Sequence, residues 1–258
     1  MTRPPVVLVV GGHDPSGGAG IVADGEAVRA AGGHPLSLIT TLTVQDSHRV
    51  YALAPTSPAL LQQQFAALRA DLPVDAIKVG MLGSVELVTL LLGWLDQLPG
   101  CPLVVDPVLA AGGGGGEASA ALRQALASHL LPRTTLLTPN SVEAQRLSGR
   151  ERPAEQAEVL LELGCSAVLI TGTHEAGEGA VTNRLFRRNQ PPLIHTWPRL
   201  PADYHGSGCT LAAAIAVRLA AGQALAVAVA EAERYTWSAL HHGYSLSDGQ
   251  YFPARAVG

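Results

Sequence analysis

Short runs of aliphatic and β-branched residues alternate along the chain with longer Ala/Leu-rich stretches of helical period. The runs predict strands at 6–10, 36–44, 76–79, 103–105, 135–137 and 167–170. Between them the pattern predicts helices over 21–31, 58–70, 85–95, 118–130, 142–147 and 154–163. Segments 179–186 and 193–197 read as a hairpin, and two helices, 209–221 and 224–242, follow it. The strand runs are continuously apolar, as expected of parallel strands covered on both faces. Repeated strand–helix units therefore predict an α/β protein with a mainly parallel sheet and right-handed crossovers. Helix 209–221 is apolar on most sides and is expected inside the protein. No internal repeat or long linker divides the sequence, so residues 1–258 are expected to form one domain. The one low-complexity stretch, 112–116, is expected to be a flexible loop.

Composition narrows the function. The 258 residues are 47% hydrophobic and 15% charged, enough for a large core. A net charge of -4 without Lys/Arg clusters argues against nucleic-acid binding. Cys101, Cys165 and Cys209 have no metal-ligand spacing, and an odd count makes no disulfide framework. A reducing cytoplasm is the expected location. The apolar run near the N-terminus is too short for a signal-peptide core. No stretch approaches the roughly 20 apolar residues of a membrane span.

Ligands of open parallel sheets sit beyond the C-terminal ends of the strands. In this chain the special residues gather there. The 11–20 loop is glycine-rich, but its spacing is not a dinucleotide fingerprint; it reads either as a backbone-lined pocket or as a tight capped turn. Asp24 falls early in the following helix, where a carboxylate is favoured for dipole reasons as well as for binding. Gln45 ends a strand and offers one acceptor and two donors, suited to a heterocycle with an amino group beside a ring nitrogen. Asp106, Asn140 and Glu143 follow successive strands and are oxygen ligands of the kind Mg²⁺ takes, although Glu143 reads equally as a first-turn carboxylate. Gly206, Ser207 and Gly208 run into an apolar helix, whose free amides and positive dipole end favour anionic oxygens. Cys209 at that helix mouth is expected to lean toward thiolate. The histidines show no metal spacing; His241 and His242 read as surface, while His174 and His205 are placed to border the site.

Six loops of this kind on one sheet edge predict an enzyme. Their sequences, taken in order, resemble the hydroxymethylpyrimidine/phosphomethylpyrimidine kinases of thiamine biosynthesis, members of the ribokinase-like superfamily. The resemblance runs from residue 6 to about 242. It rests on Gly-x-Asp-Pro-Ser-Gly-Gly-Ala-Gly-Ile at 12–21 with Asp24, Gln45, Lys-Val-Gly-Met-Leu at 78–82 and Val-Asp-Pro-Val at 105–108. Thr-Pro-Asn-x-x-Glu-Ala at 138–144 and His-Gly-Ser-Gly-Cys-Thr-Leu at 205–211 complete it. The resemblance implies a three-layer fold, usually in a homodimer. It also implies ATP-dependent phosphorylation of 4-amino-5-hydroxymethyl-2-methylpyrimidine, in many members twice. It places the pyrimidine near Gly12, Ala19, Asp24, Gln45, Met81 and Val108. It sets the ATP phosphates over the turn from Gly206 through Ser207 and Gly208 to Cys209, with Cys209 as proton acceptor. Asn140, Thr171 and Thr173 fall on the nucleotide side, and Glu143 with Asp106 organises Mg²⁺, directly or through water.

Two departures stand out. Thr171 and Thr173 occupy positions where the family usually has Lys and Gly, so a cation near the nucleotide is missing. The loop after Val108 is glycine where the family usually carries Ser or Lys with an acidic residue. A pyridoxal or pyridoxine kinase, and a non-catalytic pyrimidine-binding protein, are the alternatives.

Overall fold

The computed structural model describes residues 3–111, 115–175 and 179–256. Its centre is a nine-stranded sheet in the order β11-β10-β9-β8-β5-β4-β1-β2-β3. The strands are β1 (Val6–His13), β2 (His34–Gln45), β3 (Val50–Pro55), β4 (Ala76–Val79), β5 (Leu103–Val105), β8 (Leu136–Leu137), β9 (Ala167–Ile170), β10 (Ala180–Arg187) and β11 (Gln190–Pro198). From β9 to β2 every pairing is parallel, while β3, β10 and β11 join antiparallel at the edges. A separate ribbon pairs β6 (Ala110–Ala111) with β7 (Gly115–Glu117). The fold is ribokinase-like α/β, as expected.

The continuous apolar strands supply two cores at once, because successive side chains point to opposite faces. Leu8, Val10, Ile77 and Val105 pack with Leu61 and Phe65 of α2 (Pro58–Asp71) and Leu91 of α3 (Val85–Asp96). Leu160 of α6 (Pro153–Glu162) belongs to the same core. Val7, Val9, Ala76 and Val104 face the other way. They meet Val28 of α1 (Gly20–Ala30), the buried stretch of α7 (Ser207–Ala220) and Val229 of α8 (Leu225–His241). Three layers follow directly from this alternation.

Local signals set the helix starts. Ser84 accepts from the Leu87 amide to cap α3, and Pro58 opens α2. Asn140 and Glu143 form a capping box on α5 (Ser141–Ser148).

Three differences from the sequence reading have physical causes. Strand β3 was not anticipated: it lies at the sheet edge, mostly exposed, so it carries no buried apolar run. The helix expected over 118–130 is shorter, α4 (Ala120–Ala125), and widens into a π turn at Leu126–Leu130. Pro132 follows within a 3₁₀ turn, and its ring and missing amide cannot continue an α-helix. The expected loop at 112–116 is partly a strand, since Gly115 and Gly116 belong to β7 and Gly115 pairs with Ala111; 112–114 lie outside the described residues.

Candidate functional site

The C-terminal ends of β1, β2 and β4 and the first turns of α1 and α7 enclose a pocket. Gly12, Ala19, Asp24, Gln45, Met81 and Val108 all line it, as does Cys209. The pairing register of β1 with β2 slips between Gly11 and Gly12, so the strand is irregular where it forms the pocket floor. Gly20 has φ 60°, and a Cβ there would lie 2.2 Å from the Gly12 carbonyl oxygen, so only glycine permits this entry into α1.

One wall is a hydrogen-bonded relay. Asp14 accepts from the Ser16 and Ala19 amides at 2.8 Å each. His205 Nε2 lies 2.8 Å from Asp14 Oδ2 and 3.2 Å from the Gln45 side-chain amide. Burial raises the Asp14 carboxyl, but hydrogen bonds from His205, Ser16 and Ala19 more than reverse that and hold it at about 2. One ring nitrogen cannot donate to Asp14 and accept from Gln45 together. It is the Gln45 Nε2 that faces the ring, so the Asp14 and Gln45 contacts call for opposite states of the same His205 nitrogen, and the tautomer decides which of them is made.

The floor is a buried charge cluster. Lys78 has no exposed surface, and its ammonium sits 2.8 and 2.9 Å from the two oxygens of Asp24, itself fully buried. Asp106 lies 3.9 Å from the same nitrogen. Burial would lower Lys78, but Asp24, Cys209 and Asp106 outweigh it and keep the ammonium charged. Burial raises Asp24 to about 6 against the opposing pull of Lys78. The thiol of Cys209 differs from the thiolate expected at a helix mouth. Burial pushes it up to about 12; Lys78 and the Gly20 amide favour the thiolate, but Asp24 and Asp106 oppose it. Burial outweighs the lysine and the amide here, and the two carboxylates add to it. The neighbouring thiol in turn favours the ionised form of Asp106, against the burial that raises that carboxyl.

Gly206 begins α7 as its N-cap with φ 74°, and a Cβ there would lie 2.1 Å from the Gly18 carbonyl oxygen. The two glycine loops are therefore in direct contact. Asp106 stands 3.6 Å from the Cβ position of Gly208, tying the α7 mouth to the charge cluster.

Asn140, Glu143, Thr171 and Thr173 lie apart from the pocket wall, at the ends of β8 and β9. Asn140 and Thr171 are bridged side by side. The Asn140 side chain accepts from the Val142 and Glu143 amides, and Glu143 accepts in return from the Asn140 amide at 3.0 Å. Burial and the nearby Asp106 push Glu143 up to about 8. Glu143 is thus a first-turn carboxylate of α5, close enough to Asp106 to be raised by it. Thr173 is exposed, and its carbonyl accepts from Arg199 at 3.0 Å. His174 is exposed on the same loop and lines no part of the pocket, whereas His205 does. Among the described residues no cluster of three or more acidic, His or Cys side chains forms a metal cage.

Asp14 and Lys78 are site residues to which the sequence pattern assigned no role. The signal lay in their positions at strand ends inside the quoted motifs. Arg255, described below, carried no signal at all.

Over residues 14–254 the sequence matches the family described as phosphomethylpyrimidine kinase. The chain is 34% identical over 251 residues to the hydroxymethylpyrimidine/phosphomethylpyrimidine kinase of Synechococcus elongatus, covering 95% of each. It is 36% identical over 257 residues to the protein of that name from Rhizobium meliloti, covering 95% of this chain and 94% of that one. It is also 36% identical to the thiamine biosynthesis bifunctional protein of Geobacter sulfurreducens, of which it spans 50%. Among solved structures, the pyridoxal kinase from Staphylococcus aureus in complex with pyridoxal superposes with a TM-score of 0.89 at 25% identity, covering 99% of this chain and 94% of that one. Phosphomethylpyrimidine kinase from Clostridium difficile superposes with a TM-score of 0.77 at 30% identity, covering 91% and 99%.

Proposed function

The chain belongs to the phosphomethylpyrimidine kinase family, and on that premise we propose that it phosphorylates the hydroxymethyl group of 4-amino-5-hydroxymethyl-2-methylpyrimidine with ATP, and then the monophosphate, in thiamine biosynthesis. The observation that carries this reading is the single pocket in which Gly12, Ala19, Asp24, Gln45, Met81 and Val108 converge on Cys209. Gln45 brings an amide donor and acceptor to the pocket lining, and Met81 offers a soft apolar face to the heterocycle. Asp24 exposes no surface and acts through Lys78, setting the charge of the floor.

Phosphoryl transfer needs alignment and neutralised charge more than a strong base. The amides of Gly206, Ser207, Gly208 and Cys209 would hold the migrating group at the positive end of α7. As the substrate O–P bond forms and the bond to the ADP oxygen breaks, the hydroxyl proton would move to Cys209 Sγ while the thiol proton passes to Asp106. This relay suits a thiol held up to about 12, which is no standing base. Asn140, Thr171, Thr173 and Ser207 form the nucleotide side, with the Arg199 guanidinium beside the Thr173 loop. Asp106 and Glu143 fit Mg²⁺ held mainly by nucleotide phosphates, because burial raises both carboxyls, Asp106 raises Glu143 further, and a cation would relieve them. Bound there, Mg²⁺ supplies neutralising charge to the phosphates.

We further propose a homodimer in the cytoplasm, with residues 1–258 as one domain. Leu42, Val44, Tyr51 and Leu53 are exposed on the β2–β3 hairpin and supply an apolar face for pairing. Among the described residues no helix is long and apolar enough to cross a membrane, and Cys101, Cys165 and Cys209 are free thiols.

A second reading is a pyridoxal kinase, favoured by the higher structural similarity to the Staphylococcus aureus enzyme. The two part at Gln45, because a site built on specific hydrogen bonds rejects analogues that leave its groups unpaired. Purified protein with Mg-ATP should show a higher kcat/KM for the pyrimidine alcohol than for pyridoxal, with products separated by charge. A clear preference for pyridoxal overturns the assignment.

A further inference from the structure

Arg255 lies beyond the stretch matched to the family, yet it is only 3% exposed and reaches the contact between the two glycine loops beside the pocket. Its Nε donates to Thr210 Oγ1 at 2.8 Å, and that hydroxyl donates in turn to the Gly206 carbonyl at 2.8 Å. Its Nη1 donates to Glu26 at 3.0 Å and to the Gly17 carbonyl at 3.5 Å. Its Nη2 donates to the Gly18 carbonyl and, at 3.4 Å, to the His205 carbonyl. A guanidinium carries five N–H donors in a rigid plane, and each has an acceptor here. Gly17 and Gly18 belong to the loop that closes the pocket, and His205 and Gly206 to the turn that opens α7. Their contact is too close for any side chain at Gly206, so what holds it also sets the distance between pocket and helix mouth.

We propose that Arg255 is a positioning residue for phosphoryl transfer: its planar fork locks the Gly17–Gly18 loop against the Gly206 turn and so fixes the substrate hydroxyl relative to the α7 amides. The inference rests on the kinase reading for its effect on rate, but not for its effect on the two loops. A lysine retains the charge and loses the fork, since one ammonium cannot meet the Thr210, Glu26, Gly18 and His205 acceptors at once. Misplacement of reacting groups by about 1 Å costs roughly 100-fold in rate.

The test is Arg255→Lys in the full chain, with Glu26→Gln as a control that leaves the carbonyl contacts in place. Hydrogen exchange is followed by segment, beside kcat, KM and Tm. In Arg255→Lys, exchange is expected to quicken together at 14–20 and 205–210, with the central strands unchanged. The kcat should fall by about 10- to 100-fold with little change in pyrimidine KM. Glu26→Gln should stay within about twofold of the parent, as surface charge pairs contribute little. The proposal is overturned if the two segments keep their protection and kcat holds. It is equally overturned if exchange rises across the whole sheet in step with a fall in Tm, since Arg255 would then serve stability alone. If the parent protein fails to turn over the pyrimidine alcohol, the kinase reading fails, and the exchange pattern still decides the clamp.

Discussion

On the β1–β2–β4 side of the cleft, side chains distant in sequence interlock: Asp14 with His205, Asp24 with Lys78, Gln45 with His205. On the β8–β9 side, the local Asn140–Glu143 capping box stands beside contacts that reach backbone groups, such as Arg199 to the Thr173 carbonyl, and Thr173 is exposed. The first side holds buried charge that must be matched atom by atom. On the proposed function, the second side would receive a large, charged ligand that brings its own counterion, and discrimination between small heterocycles would fall to the rigid side.

The comparison breaks most severely at Lys78. Lys78→Met would leave the Asp24 and Asp106 carboxylates buried without their cation, and loss of one member of a buried pair costs about 3–5 kcal/mol. Denaturant unfolding should show that loss, and adding Asp24→Leu should recover part of it. A neutral result would mean the cluster is not buried in solution.

Next comes Cys209, where the two sides meet. Cys209→Ala removes the relay between substrate hydroxyl and Asp106, and kcat should fall by roughly 100-fold, with modest change in pyrimidine KM. Near-full turnover would mean that the α7 amides act alone and the thiol only packs.

Acid should undo the rigid side. Asp14 is lowered to about 2 from an ordinary 3.8, so its contribution is complete above about pH 4 and is lost as pH falls through about 2. The linked stability is about 2 kcal/mol. Asp14→Asn should flatten the unfolding free energy over that window; an unchanged slope would remove Asp14 from the account.

The nucleotide side should respond least. Thr171→Lys with Thr173→Gly restores a charge-assisted contact, about twice as strong as a neutral one, and should lower the ATP KM by about threefold. The pyrimidine KM should stay put. No change in ATP KM would place the phosphates elsewhere on this edge.

Much of this was legible in the sequence, for reasons that differ by region. The inner strands β4, β5 and β9 are buried on both faces, so continuous apolar runs marked them. The edge strand β3 has one partner and much exposed surface, and leaves no such trace. That Gly12, Ala19, Asp24, Gln45, Met81 and Val108 share one pocket was legible because glycine turns and strand-end polar groups are locally encoded. The protonation of Cys209 was not, because it depends first on burial and then on Asp24 of α1 and Asp106 after β5, which the fold brings to it. Arg255 was invisible for the same reason: nothing near it in sequence explains a buried guanidinium.

That arginine bears on the order in which the molecule is assembled. It meets the Gly18 carbonyl across a separation of 237 residues. Chains fold as they are made, and contacts this distant close late. During synthesis the sheet, α1 and the pocket loop are complete while the fork that aligns them is still untranslated. A nascent chain of this kind has the parts of its cleft before it has their alignment, and competence arrives only with the last helix and the tail that folds back across it.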